Sequence, residues 1–66
     1  MTKQEIIYKL GEMFNSKMEA AKEYRKLGES QSVRDSYIAA NTILEVVAEL
    51  GIEYHDFLDY LRKTSN

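Results

Sequence analysis

This 66-residue chain has no cysteine, no proline and no tryptophan, and only three glycines and one histidine. Each absence removes a class of explanation. Without cysteine there is neither a disulfide nor a thiolate metal site. With His55 as the sole histidine, no multi-histidine metal centre can form within one chain. No apolar run approaches the roughly 20 residues that a membrane span needs. The segment after Met1, Thr2-Lys3-Gln4-Glu5, is polar, so nothing there reads as a secretory signal. The expectation is a soluble protein of the reducing cytoplasm. Small chains fold alone only marginally, because a small body buries a modest share of its surface. Their usual supplements are disulfides, a metal or oligomerisation. The first is excluded and the second lacks ligands, so self-association is the expected supplement.

What is present is helical periodicity. Thr2-Lys3-Gln4-Glu5 is a capping-box pattern, in which the Thr hydroxyl and the Glu carboxylate satisfy free amides reciprocally. Ile6, Ile7, Leu10, Met13, Phe14, Ala20, Ala21, Tyr24 and Leu27 then follow in steps of three and four. Lys17 interrupts this stripe, with a stem that can pack while its amine reaches water. Gly28 and Gly51 stand where helical patterns end, as C-terminal caps do. Gly11 lies inside the first pattern. The spacing predicts helices over 3–27, 33–50 and 54–62 within a single domain, 1–66. Ser32 is the expected cap of the second helix and Ser30 the alternative. Ile52 is placed for the apolar contact that accompanies a glycine cap. Tyr54, Phe57, Leu58 and Leu61 make the stripe of the third helix. The short turn around Gly28-Glu29-Ser30-Gln31 makes the first two helices antiparallel neighbours. The fold expected is all-α: an antiparallel helical hairpin with a short third helix, assembling into a dimeric helical bundle.

The second helix has more apolar surface than one partner requires. Val33, Tyr37, Ala40, Leu44, Val47 and Ala48 share one face, and Ala39, Ile43, Val46 and Leu50 extend it. Together they span about 200°, against about 100° for an ordinary surface helix. Ala39, Ile43, Val46 and Leu50 are therefore the expected interface with a second copy. Asn41 at the edge of this helix is placed to hydrogen-bond across such a contact and set its register. Ile38 and Tyr60 project from the polar sides of their helices and are candidates for a partner-binding surface.

Charge is unevenly placed. Residues 1–34 carry seven Lys/Arg and five Asp/Glu; residues 35–66 carry two and six, for a net of −2 overall. Two chemistries bear on this layout. A helix-turn-helix around Gly51 would send a helix bearing Glu53, Asp56 and Asp59 towards DNA, with Arg62 and Lys63 only at its end. Backbone phosphates call for Lys and Arg at the contacts. The DNA-binding regulator is the alternative reading, and nucleic acid is not the expected partner. A metal-dependent enzyme would draw on Glu45, Glu49, Glu53, His55, Asp56 and Asp59. Dimetal carboxylate bundles need Glu-x-x-His pairs facing inward, whereas Glu53 and His55 are two apart and diverge. His55 also lacks a poised partner, and no Arg precedes it at the short spacing of the helical ribonucleases. Lys22, Arg25 and Lys26 alternate with Glu19 and Glu23 as a solvated face. No catalytic residue, cofactor or metal is expected, and the protein is read as non-enzymatic.

The run Ser36-Tyr37-Ile38-Ala39-Ala40-Asn41, continuing through Ile43-Leu44-Glu45-Val46-Val47-Ala48-Glu49-Leu50-Gly51-Ile52 to Phe57-Leu58, resembles small helical-hairpin proteins of Gram-positive phages and mobile elements. The resemblance covers the second half of the chain. It implies an interaction role towards a host or phage protein, names no substrate, and carries over no functional residue. The function expected is that of a small protein-interaction module or regulator, working through a helical apolar surface as a homo-oligomer.

Overall fold

The computed structural model describes residues 1–64, which form three helices and, among the described residues, no strand. Helix α1 spans Lys3–Lys26, α2 spans Ser30–Glu49 and α3 spans Tyr54–Thr64.

The capping box at the start of α1 forms as the sequence predicts. The Glu5 amide donates to Thr2 Oγ1 at 3.1 Å, and the Thr2 amide donates to Glu5 Oε1 at 3.1 Å. Thr2 holds the Glu5 carboxyl below its usual range, its backbone amide contributing most and its hydroxyl next.

Both helix ends close on a glycine. Gly28 (φ 74°) and Gly51 (φ 72°) adopt the left-handed conformation that side chains disfavour. The Gly28 amide donates to Arg25 O and the Glu29 amide to Tyr24 O, which is the Schellman arrangement. The same pair recurs as Gly51 to Ala48 O and Ile52 to Val47 O. In the second case Ile52 and Val47 are both buried core residues, so the cap carries its apolar contact.

The first connection is tighter than the sequence suggests. Neither Ser32 nor Ser30 caps α2. Glu29 occupies the cap position without a side-chain cap bond, and its carbonyl accepts from the Val33 amide at 3.1 Å. The reason lies in the preceding cap. Its last bond fixes Glu29, and the chain passes directly from that closure into α2. Ser32 Oγ donates instead to the Glu29 carboxylate at 3.4 Å, and Asp35 accepts from Gln31 one turn back. The early start adds three residues to the N-terminal end of α2.

Ile7, Ile43, Val47, Ile52 and Phe57 form the core, with Ile6, Leu10, Phe14, Leu44, Tyr60 and Leu61 packed around it. Every helix and the Gly51 cap contribute. Phe57 has no exposed surface and meets Phe14 edge-on, with ring centroids 5.9 Å apart. Such an arrangement suits the ring quadrupoles. Towards the hairpin turn the buried residues are small: Ala21, Ser36 and Ala40.

Gly11 acquires its explanation here. The Tyr60 ring rests on its bare Cα. A Cβ at that position would stand 2.5 Å from Tyr60 Cδ1 and closer still to Cε1. Tyr60 also meets Tyr8 edge-on at 5.7 Å. Tyr60 is thus half-buried, which corrects its reading as a projecting residue. The inner face of α3 is turned towards Tyr60, so Tyr54 gives up its place on the stripe and is 56% exposed.

Candidate functional surface: the open side of the hairpin

Helix α3 covers one side of the α1–α2 hairpin and leaves the other open. Its contacts on α1 run through Tyr8, Gly11 and Phe14. On α2 it borders Leu44, Val47 and Ala48 across a shared groove. Residues three and four apart stack on one helix face. By that register, Ile6, Met13 and Ala20 of α1 and Ala39, Val46 and Leu50 of α2 border the opposite side. The two helices come together there around a shallow depression bordered by Lys17, Ala20 and Tyr24 from α1 and by Asp35, Ser36 and Ala39 from α2.

Apolar side chains are exposed on both sides, Tyr8 and Met18 on the α3 side and a longer row on the open side. Met13 is 51% exposed, Val46 39% and Leu50 54%. Ile6, Leu10, Ala20 and Ala39 are half-buried between them. An isolated exposed apolar residue is ordinary; here Met13, Val46 and Leu50 share one side by helical register.

The four residues expected to face a second copy therefore divide. Ala39, Val46 and Leu50 lie along the open side. Ile43 does not: it is 5% exposed and belongs to the core of its own chain. The correction has a geometric cause. Ile43 sits on α2 between the face turned to α1 and the open flank, and it joins Ile7 of α1 in the core cluster. Ile38 is 57% exposed on the outer face of α2, away from both sides of the groove. Asn41 is exposed, on the flank of α2 that borders α3 rather than on the open side.

Flanking charge is asymmetric. Lys9 and Lys17 border the open side along α1, and Asp35 and Glu49 border it along α2. These side chains are exposed, as are Glu45, Glu53, His55 and Asp56 near the Gly51 turn. Among the described residues, no three His, Asp or Glu side chains converge in a way that could hold a metal ion. No helix among them is long and apolar enough to cross a membrane.

At the hairpin turn, Arg25 donates to the Tyr37 hydroxyl, and its guanidinium lies 5.8 Å from the centre of that ring. Lys26 pairs with Glu23 at 3.5 Å, the i,i+3 pattern expected of a solvated helix face. The Arg25–Tyr37 contact ties the helices together just inside the glycine cap. Sequence periodicity alone does not predict it, because it joins the edges of two different helices.

Comparisons with family models, with curated proteins and with solved structures find no match to this chain.

Proposed function

We propose that this protein is a non-enzymatic interaction module that works by burying the open side of its hairpin, most simply against a second copy of itself. One observation carries the reading. Met13, Val46 and Leu50 remain exposed on a single side of the hairpin while α3 packs against the other. Apolar area removed from water contributes about 25 cal/mol per Å², and a chain this small has few other sources of stability. The charge layout favours a like partner. A two-fold axis through the open side can lay the Lys9–Lys17 edge of one copy along the Asp35–Glu49 edge of the other. The product is a four-helix core with an α3 on each outer side. The resemblance to small phage helical-hairpin proteins implies an interaction role as well.

Val46→Glu is the decisive variant. Val46 is at the surface of its own protomer, so the substitution leaves the fold intact and places a charge in the centre of the interface. Ile43→Glu would not discriminate, since a charge in the core unfolds the protomer regardless of assembly. Light scattering at micromolar concentration should give a dimer mass for the native chain and a protomer mass for Val46→Glu, with helical circular dichroism retained. A native chain that runs as a monomer overturns the self-association.

A further inference from the structure

We propose that the groove beside the Gly51 turn, on the side of the molecule that carries α3, receives a cationic amphipathic helix from a partner protein. The groove is a second surface, separate from the open side of the hairpin. It has a volume of 680 Å³ and an apolar lining: Leu44, Val47 and Ala48 from α2, Ile52 from the cap, and Tyr54 and Leu58 from α3. Val47 and Ile52 form a rigid floor, since both belong to the core. Leu44 and Leu58 are half-buried walls, and Tyr54 stands exposed at the mouth. From Leu44 to Gly51 the α2 wall runs for two turns, about 10 Å. That length matches the i, i+3/i+4, i+7 anchors by which an amphipathic helix seats in a groove.

Charge selects the occupant. No lysine or arginine lines the groove. Glu53 lines the groove itself, and His55 is the only potential cation on its border. Glu45 lies exposed on the adjoining face of the same stretch of α2. An apolar cleft edged by carboxylates and by no lysine or arginine favours a helix with an apolar stripe and flanking Lys or Arg, and disfavours an acidic one. Nucleic acid, whose phosphates would meet the same carboxylates, is repelled.

The test uses the full-length protein and two synthetic helical peptides. Both have leucines at i, i+3, i+4 and i+7. One carries lysine at the remaining positions, the other glutamate. Fluorescence anisotropy should show binding of the lysine peptide, weakening as salt is raised, and no binding of the glutamate peptide. Ala48 is exposed on the α2 wall, so Ala48→Arg keeps the fold and blocks the groove with bulk and like charge. It should weaken the lysine peptide by about tenfold or more. Glu53→Lys should act in the same direction, whereas Glu19→Lys, on α1, should leave binding unchanged. Equal binding of both peptides overturns the proposal, as does full binding by Ala48→Arg or an equal loss with Glu19→Lys. If Ala48→Arg instead changes the assembly mass, the groove holds a second copy and the proposal fails. Val46→Glu separates this inference from the dimer: it should dissociate the assembly and leave peptide binding intact. Loss of peptide binding in that variant would show that the two surfaces are one, and would also overturn the proposal.

Discussion

Replacing Gly11 by alanine should destabilise this protein, although the same change in an ordinary helix interior stabilises. The intrinsic preference favours alanine by about 1 kcal/mol. Against that stands the ring of Tyr60. A Cβ on residue 11 would lie 2.5 Å from Tyr60 Cδ1, more than an ångström inside ordinary carbon contact. The ring must move, and it is held on its other side by the edge contact with Tyr8 at 5.7 Å. Overpacking a filled site costs typically about 1–3 kcal/mol, and loss of an aromatic pair adds roughly 0.5–1.5 kcal/mol. The net expectation is a loss of about 1–2 kcal/mol, near the midpoint of these ranges once the propensity gain is subtracted. For a domain of this size each kcal/mol lowers Tm by roughly 4–8 °C. A double-mutant cycle isolates the cause. In a Tyr60→Ala background the obstruction is gone, and Gly11→Ala should then stabilise by up to about 1 kcal/mol. Urea unfolding followed by circular dichroism, at one fixed protein concentration, reads both arms. If Gly11→Ala stabilises the native chain as much as it does the Tyr60→Ala variant, the docking of α3 on α1 described above is wrong.

Two further outcomes follow from the helix ends. Gly51→Ala meets no atom within 4 Å, so its cost is conformational alone: roughly 1–2 kcal/mol for a left-handed alanine, seen as a lower urea midpoint, with Gly51→Asn closer to native. Glu5 has a depressed carboxyl in the folded chain, so its contribution to the α1 N-terminus is complete above the ordinary carboxylate range and is lost as pH falls through the lowered value. The Thr2 and Glu5 amide resonances should report that transition in NMR. Glu5→Gln, which keeps an acceptor oxygen without a proton to gain, should abolish it; a transition that persists in this variant assigns it to another group.

The parts of the fold legible in the sequence are those decided within a few residues. Thr2 and Glu5 satisfy each other across a single turn, and Gly28 and Gly51 take backbone angles that other residues avoid. The three helices follow from the spacing of apolar residues in the same way. The cap of α2 was not legible, because the bonding of the preceding glycine closure decides where the chain re-enters a helix. Nor was the inner face of α3. Its stripe points to Tyr54 and leaves Tyr60 on the polar side, and the turn towards Tyr60 depends on the gap that Gly11 leaves on a helix distant in sequence.

The excess apolar surface of α2 shows the same division. Its width around the helix is a property of the sequence, since periodicity alone shows that two neighbours are needed. Which residues each neighbour covers was decided by tertiary structure. Ile43 joins Ile7 of antiparallel α1 in the core, and α3 takes one side of the hairpin because an aromatic ring can lie on the bare Cα of Gly11. That choice leaves Ala39, Val46 and Leu50 on the other side. Burial is a pairwise property of surfaces brought together in space, and a one-dimensional pattern records only one member of each pair.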